Sequence, residues 1–266
     1  MRVARTAAEL RSVLAPRRQA GERIGLVPTM GAFHEGHLSL MRAAREASDV
    51  VVVSLFVNPT QFGPGEDLDR YPRDEAADIR TAEGEGVGVL FTPPVDEVYP
   101  PGFDTTVDPG TLATILEGAA RPGHFRGVAT VCVRLFGLVT PDLAFFGRKD
   151  AQQLAVLRQV IRDLALPIEL RACPTVRDPD GLALSSRNAY LSADARARAL
   201  SLPRALQAGL TAYRSGSDAV QAARSVLAGA DVDVDYVAVA DFDGPTLAAA
   251  IRVEGTRLID NVELNS

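Results

Sequence analysis

Apolar and polar positions along the first two thirds of the chain follow two alternating periods. Short apolar runs typical of strands occur at residues 23–27, 50–57, 87–91, 143–146 and 168–172. Helical spacing occupies the intervening residues 36–47, 74–85, 112–117, 127–139 and 151–164. The second run, VVVVSLFV, is apolar almost throughout, as expected of a strand buried on both faces. This βαβα order predicts an α/β fold with a doubly wound parallel sheet and helices on both of its faces.

The pattern changes near residue 175. Residues 174–191 are rich in Pro, Asp, Gly and Ser, which favour turns and loops. Helical spacing follows at 193–214 and 218–227, and strand-type runs follow at 232–240 and 257–260. We therefore predict two domains: residues 1–175 with the parallel sheet, and residues 176–266 as a smaller α+β C-terminal domain.

Composition narrows the class of protein. Hydrophobic residues make up 47% and charged residues 23%, which is ordinary for a globular chain and excludes a disordered one. The 28 basic and 34 acidic side chains give a net charge of −6, which argues against a broad nucleic-acid-binding surface. No apolar run reaches membrane-spanning length and no secretory signal is evident, so we expect a cytoplasmic protein without a membrane partner. Cys132 and Cys173 stand in apolar surroundings and are expected to be small buried hydrophobes.

Two histidines follow the first predicted strand in the segment PTMGAFHEGH, residues 28–37. A strand that turns directly into a helix is where α/β sheets bind phosphates. His34 and His37 lie three residues apart and share one face of the first helical turn, where imidazoles can stabilise charge on a phosphate. One alternative is a His-x-x-His metal pair, which would need His124 as a third ligand. The other is a pair of ordinary surface histidines.

Neutral and basic polar groups recur in two further segments. Asn58 and Gln61 end the second predicted strand and suit the hydroxyls and carboxylate of a small polar acid. Capping of the loop by Asn58, with a turn at Pro59, is the alternative. Arg121 and His124, in RPGHFRG, indicate either an anion site or lid, or an ordinary turn before a helix.

Lys149 is the only lysine, and the other 27 basic residues are arginine. A compact, flexible ammonium and a planar guanidinium are not interchangeable where a point charge must reach a phosphate, so Lys149 is a candidate phosphate ligand. Chance in an arginine-biased chain is the alternative. Asp150 is placed to cap a helix or to take a ribose hydroxyl, and Gln153 shares its face. Ser185, Ser186 and Arg187 suit a triphosphate, or else an exposed interdomain hinge.

Several long segments in the same order resemble the pantoate–β-alanine ligase family over nearly the whole chain. The matching segments are PTMGAFHEGH, FVNPTQF, EDLDRYPR, RPGHFRGV, FFGRKDAQQ, PTVRDPDGLALSSRNAYL and GTRLIDN. The His-x-Gly-His element alone is shared with other nucleotidyltransferases, whereas FVNPTQF, GRKDAQQ and SSRN narrow the resemblance to this family. Phe33 and Leu184 stand where the family commonly has Leu and Met, and the chain between Asp241 and Arg257 is shorter than is common.

The resemblance implies a Rossmann-like first domain, a C-terminal lid domain and a homodimer. It also implies a two-step reaction. ATP and pantoate, with Mg²⁺, form pantoyl adenylate and pyrophosphate, and β-alanine then displaces AMP to give pantothenate.

The resemblance also assigns roles to residues. Those expected to act in catalysis are His34, His37, Lys149, Ser185, Ser186 and Arg187. Those expected to bind ATP are Pro28, Met30, His34, His37, Gly147, Lys149, Asp150, Val176, Leu184, Ser185, Ser186 and Arg187. Those expected around pantoate are Asn58, Gln61, Gln153, Arg121 and His124. The metal ligands are unknown, and Mg²⁺ is expected to arrive on the phosphates of ATP.

Two other classes share some of these features. A nucleotidyltransferase that moves AMP or CMP onto a phosphorylated acceptor would share the His-x-Gly-His loop, but it predicts a cationic acceptor pocket, whereas Asn58, Gln61 and Gln153 are neutral. A non-catalytic nucleotide-binding regulator would bind ATP without pantoate-dependent turnover. The chain has neither a Walker A loop nor G-x-G-x-x-G after its first strand, which argues against a P-loop kinase or a dehydrogenase.

Overall fold

The computed structural model describes residues 1–265, which divide into two compact units. The first unit comprises Met1–Gly147 and Val156–Cys173. The second comprises Arg148–Ala155 and the chain from Pro174 onward. The segment that carries Lys149 therefore belongs to the second unit.

Among the described residues, the first unit contains a six-stranded parallel sheet, which confirms the predicted fold class. Its strands are β1 (Arg2–Ala4), β2 (Ile24–Thr29), β3 (Val50–Leu55), β4 (Val89–Phe91), β5 (Leu143–Gly147) and β6 (Glu169–Cys173). They lie side by side in the order β1-β4-β3-β2-β5-β6. From β2 the chain builds outward through β3 and β4, and from β5 it builds in the other direction to β6, which is the doubly wound arrangement. The N-terminal β1 lies at the edge beside β4.

The helices in the first two thirds of the chain are α1 (Ala7–Gln19), α2 (Glu35–Ala47), α3 (Glu75–Gly84), α4 (Val95–Val98), α5 (Glu117–Ala120), α6 (His124–Val139) and α7 (Ala151–Asp163). On α2, Leu40, Met41 and Ala44 pack against Val27 and Phe145 of the sheet. The alternate strand residues, such as Leu26 and Val52, are fully buried as well. Because successive strand side chains point to opposite faces, both faces of the sheet are covered.

The second unit has its own sheet and core. Its helices are α8 (Ala193–Ala199), α9 (Ser201–Arg214) and α10 (Ala219–Ala228), and its strands are β7 (Asp233–Asp241), β8 (Pro245–Val253) and β9 (Thr256–Glu263). The strands pair antiparallel in the order β7-β8-β9. Leu206 of α9, Leu227 of α10 and Leu247 of β8 are almost fully buried in one hydrophobic core.

Three expectations about elements were wrong or incomplete. Residues 112–117 do not form a helix, since a 3-10 turn at Gly110–Thr114 ends before Leu116, which adopts φ +45°. The helix predicted at 193–214 is two helices, because Pro203 has no N–H to continue α8 past Leu200 and is tolerated only in the first turn of α9. The second unit has one strand more than was predicted: β8, the middle strand of its sheet, lies between Asp241 and Arg257, where the chain is shorter than is common in the family.

Strand β8 and the N-terminal β1 and α1 were not predicted. The sequence of β8, PTLAAAIRV, is rich in alanine, which has low strand propensity. Its small side chains are nevertheless buried along nearly the whole strand. Cys132 and Cys173 are both buried, as expected. Within residues 1–265, no helix is both long and apolar enough to cross a bilayer.

Candidate active site

Strands β2 and β5 mark the point where the sheet reverses its order. They are neighbours, with Gly25 opposite Leu143 and Leu26 opposite Ala144. Ligands of open α/β sheets bind beyond the carboxyl ends of the strands at such a switch point. Strand β2 runs directly into the PTMGAFHEGH segment, and β5 ends at Gly147, two residues before Lys149.

The loop between β2 and α2 is held by a buried carboxylate. Gly31 and Ala32 adopt φ values of +86° and +52°, a left-handed turn that favours glycine. Asp78 of α3 accepts the backbone N–H groups of Ala32 at 2.9 Å and Phe33 at 2.8 Å. Burial raises the pKa of Asp78, and these two hydrogen bonds oppose the rise. The sequence does not reveal this role, because Asp78 lies more than 40 residues away along the chain.

His34 and His37 come together at the start of α2, with ring centroids 4.2 Å apart. His34 is the N-cap, and its Nδ1 accepts the N–H of Gly36 at 3.2 Å. The Nδ1 atom of His37 accepts the N–H of His34 at 3.3 Å. In the neutral rings both protons therefore lie on Nε2. The two imidazoles are oriented by the backbone, and both stand at the N-terminus of a helix.

Asn58 and Gln61 lie in the turn after β3. Asn58, which is 1% exposed, caps this turn by accepting the N–H of Thr60, as the alternative interpretation proposed. Its amide donates to Gln61 Oε1 at 3.0 Å and to the carbonyl of Gly127 at 3.2 Å. Gln61 in turn donates to the sulfur of Met30 at 3.2 Å. The cap therefore also orients the Gln61 side chain beside the end of β2.

Arg121 and His124 bind the backbone of the same turn. His124 Nδ1 lies 2.9 Å from the carbonyl oxygen of Gln61, and Arg121 Nη2 donates to that oxygen at 3.3 Å. Arg121 also forms a bidentate ion pair with Glu66, at 2.8 and 2.6 Å, and lies 3.6 Å from Glu117. Burial and the hydrogen bonds from Arg121 act in opposite directions on Glu66, and the balance lowers its pKa. No local pattern in the sequence indicates this pair, because Arg121 and Glu66 are 55 residues apart.

A pocket of about 570 Å³ in the first unit borders this turn. Aromatic rings of Phe62, Tyr99 and Phe103 line it together with Thr60 and Gln61. The hydroxyl of Tyr99 donates to Asn58 Oδ1 at 2.8 Å, so one wall of the pocket is tied to the cap. Its volume lies within the range of small-molecule sites.

The second unit carries the remaining predicted residues. Lys149 Nζ lies 3.4 Å from Asp150 Oδ1, in a 3-10 turn that leads into α7. Gln153 is half-buried in the first turn of α7. The backbone N–H of Leu184 donates to the carbonyl of Val176 at 3.0 Å, which closes a hairpin before Ser185. Ser185 caps the following turn by accepting the N–H of Arg187 at 3.3 Å, and Ser186 begins that turn.

A metal site built from the protein alone is not found among residues 1–265. No group of three or more His, Cys, Asp or Glu side chains in this range is arranged to hold an ion. His124 has both ring nitrogens in contact with protein groups, Arg121 and the Gln61 carbonyl. Pro28 lies at the end of β2 and Gly147 at the end of β5.

The fold and the switch-point loop define a doubly wound α/β protein of the nucleotide-binding type. The profile of the family described as pantoate-beta-alanine ligase matches residues 2–263. The chain belongs to this family and is a ligase of pantothenate biosynthesis.

Relatives and solved structures point to the same family. A pantothenate synthetase of Roseiflexus castenholzii is 52% identical over 100% of both chains. The crystal structure of the enzyme from Thermus thermophilus is 47% identical, with a TM-score of 0.94 over 99% of each chain. The ligase of Francisella tularensis, solved with beta-gamma ATP and beta-alanine, is 33% identical, with a TM-score of 0.86 over 100% of this chain and 98% of that one.

Proposed function

We propose that this ligase activates pantoate as pantoyl adenylate and then transfers the pantoyl group to β-alanine. In the first step a carboxylate oxygen of pantoate attacks the α-phosphorus of ATP, and the bond to pyrophosphate breaks. In the second step the amine of β-alanine attacks the acyl carbon, the bond to AMP breaks and the amine loses a proton. The products are pantothenate, AMP and pyrophosphate.

The observation that carries the proposal is the imidazole pair at the end of β2. A carboxylate that attacks a phosphate is an anion meeting an anion, so fixed donors and cations must offset the repulsion. The backbone N–H groups bind Nδ1 of both rings and leave the proton on Nε2, so His34 and His37 would donate from Nε2 to phosphate oxygens. No covalent nucleophile from the protein is needed, because positioning and electrostatics suffice.

The other predicted residues receive roles that fit their surroundings. Met30 and Pro28 would lie by the nucleotide, and the amides of Asn58, Gln61 and Gln153 would surround pantoate. The phosphates would be held by Lys149, Ser185, Ser186 and Arg187, and the ribose by Asp150. The remaining nucleotide contacts would come from Gly147, Val176 and Leu184.

Arg121 and His124 receive an indirect role. Both bind the Gln61 carbonyl, and Arg121 is paired with Glu66. We therefore assign them to holding the pantoate turn in place. Their predicted direct contact with pantoate stays a prediction.

Four further expectations stay predictions. Magnesium would enter as part of the MgATP substrate, with most of its ligands from phosphate and water. The homodimer, the cytoplasmic location, and the division into a nucleotide-binding domain (1–175) and a lid (176–266) stay predictions. The Francisella tularensis relative, solved with beta-gamma ATP and beta-alanine, supports ATP and β-alanine as substrates here.

Exchange of labelled pyrophosphate into ATP, measured without β-alanine, tests the two-step route. We expect exchange that depends on pantoate, because only a reversible adenylate returns label to ATP. Exchange with a phosphorylated acceptor in place of pantoate would favour a nucleotidyltransferase. ATP binding with no exchange under either condition would overturn the adenylate route.

A further inference from the structure

Strand β9 contains all but the first residue of the GTRLIDN segment, to which the proposed function gives no role. Asp260 and Asn261 in this strand are 2% and 9% exposed. Buried polar side chains are costly unless their hydrogen bonds are satisfied. Both residues have partners within the second unit, and those partners belong to the two segments that carry its predicted ATP ligands.

Asn261 holds the segment of Lys149. Its side-chain amide donates to the carbonyl oxygens of Arg148 at 3.0 Å and Lys149 at 2.8 Å. One NH₂ group has two hydrogens and so can serve two adjacent carbonyls at once. The backbone from which the Lys149 side chain projects is thereby attached to β9, immediately before α7 begins.

Asp260 holds the hairpin that precedes Ser185. Its carboxylate accepts a bidentate pair from Arg177, at 2.6 and 3.0 Å. Arg177 also donates to the carbonyl of Gly181 at 3.2 Å and pairs across the hairpin with Ala183. The backbone N–H of Asn261 donates to Asp260 Oδ1 at 2.8 Å, which fixes the carboxylate. The hairpin leads directly into Ser185, Ser186 and Arg187.

We propose that Asp260 and Asn261 are positioning residues for ATP: Asn261 sets the backbone of Lys149, and Asp260 sets the serine–arginine turn through Arg177. This inference rests on the proposed function, because it takes Lys149 and Ser185–Arg187 as the phosphate ligands. Neither residue touches substrate. Each acts on ligands whose placement governs how well the phosphates are bound.

Asn261→Asp is the sharpest substitution, because it keeps the shape and replaces the one donor NH₂ group with an oxygen that faces two carbonyl oxygens. We expect the KM for ATP to rise by about tenfold or more while the KM for β-alanine stays within about twofold. Asp260→Asn, which removes the charge opposite Arg177, should give the same signature. Asn265→Asp makes the same chemical change at an exposed position nearby and should leave both constants unchanged.

A double-variant cycle separates positioning from general support of the fold. The dissociation constant of ATP is measured by calorimetry for Lys149→Ala, Asn261→Ser and their combination, with melting temperatures for each. If Asn261 acts through Lys149, its effect on ATP affinity is largely lost in the Lys149→Ala background. Additive effects, or an ATP affinity of Asn261→Ser equal to that of the unchanged protein, would overturn the proposal. Asn261→Ser introduces no charge, so it serves even if Asn261→Asp does not fold.

The two proposals fail differently. Pyrophosphate exchange by the unchanged protein, together with normal ATP affinity in the Asn261 and Asp260 variants, overturns only the positioning role. Lost ATP affinity in those variants with no exchange in the unchanged protein overturns only the adenylate route. Failure of the unchanged protein to bind ATP overturns both.

Discussion

His124 is neutral in the folded protein, and its hydrogen bonds depend on that state. A guanidinium can only donate, so His124 Nε2 accepts from Arg121 Nη1 at 3.0 Å, and the Nδ1–H donates to the Gln61 carbonyl. Burial and the adjacent Arg121 charge lower the pKa of His124 from 6.5 to about 4. A protonated ring would lose its acceptor and place a second cation beside Arg121.

This depressed pKa predicts a dependence of stability on pH. Unfolded His124 takes up a proton near pH 6.5 and folded His124 only near 4, so the unfolded chain binds more protons between these values. The free energy of unfolding should therefore fall as the pH drops through that window, by about 3 kcal/mol in full. In His124→Gln the free energy of unfolding should depend less on pH in this window. Urea denaturation of both proteins from pH 7 to 4 measures the effect, and equal slopes would contradict it.

Lys149 offers a second prediction at the scale of one residue. Lys149→Ala should slow pantoate-dependent pyrophosphate exchange by about 10²–10³, the range for the loss of one preorganised donor. Lys149→Arg keeps the charge but replaces a point cation with a planar fork, so we expect a loss here too. Arg11→Ala, which removes an exposed positive charge from α1, serves as the control. Exchange at the normal rate in Lys149→Ala would refute the role, and full activity in Lys149→Arg would refute the requirement for lysine.

Helix α6 and the turn at Pro59–Gln61 approach so closely that only glycine fits between them. A Cβ on Gly127 would lie 2.3 Å from the carbonyl oxygen of Thr60 and 2.7 Å from the Cα of Gln61. Both neighbours are backbone atoms, which cannot rotate away. The turn that carries Gln61 is therefore seated directly on the helix, and Asn58 ties the two together through the Gly127 carbonyl.

Gly127→Ala should displace this turn and raise the KM for pantoate by about tenfold or more, with a smaller change in the KM for ATP. Gly137 lies in the same helix, is exposed and has nothing within 4 Å of its would-be Cβ. Gly137→Ala should therefore leave both constants unchanged and stabilise the protein slightly, by up to about 1 kcal/mol. Steady-state kinetics and melting temperatures of the two variants are the comparison. Equal pantoate constants in both would show that the close approach does not position the site.

At the scale of the whole molecule, each unit has a hydrophobic core of its own. The core of the first unit gathers Met41 and Phe145 around the parallel sheet, and that of the second gathers Leu206 and Leu227 around β8. Strand β8 contributes alanines and leucine to this second core, although its sequence did not indicate a strand.

Leu227→Ala should weaken the second unit selectively. Leu227 is 1% exposed, and truncation of a buried leucine typically costs about 2–5 kcal/mol. Hydrogen exchange followed by mass spectrometry should show faster exchange in β7–β9 with the amides of β2, β3 and β5 still protected. Leu90→Ala, at a fully buried position of the first core, should show the reverse. A uniform rise across both units in either variant would mean that they open together.

The sequence by itself determined the parallel sheet, and it predicted which segments carry the chemistry. A doubly wound fold can be predicted from alternating strand and helix patterns of apolar residues. Buried parallel strands need continuous apolar runs, and the helices between them need an amphipathic face. The proximity of His34 and His37 could also be predicted, because their spacing of three residues at the start of a helix is a local property of the sequence. Most predicted helices and strands lie within a few residues of the observed ones.

Only the tertiary structure decided which polar groups support the site. Asp78, Glu66, Asp260 and Asn261 all act on backbone or side chains more than 40 residues away, and no local period marks such a partner. The same holds for β8, whose alanines form a strand because long-range pairing and burial on both sides override a weak propensity. Local patterns are set by neighbours along the chain, whereas burial and hydrogen-bond partners depend on which distant segments the fold brings into contact.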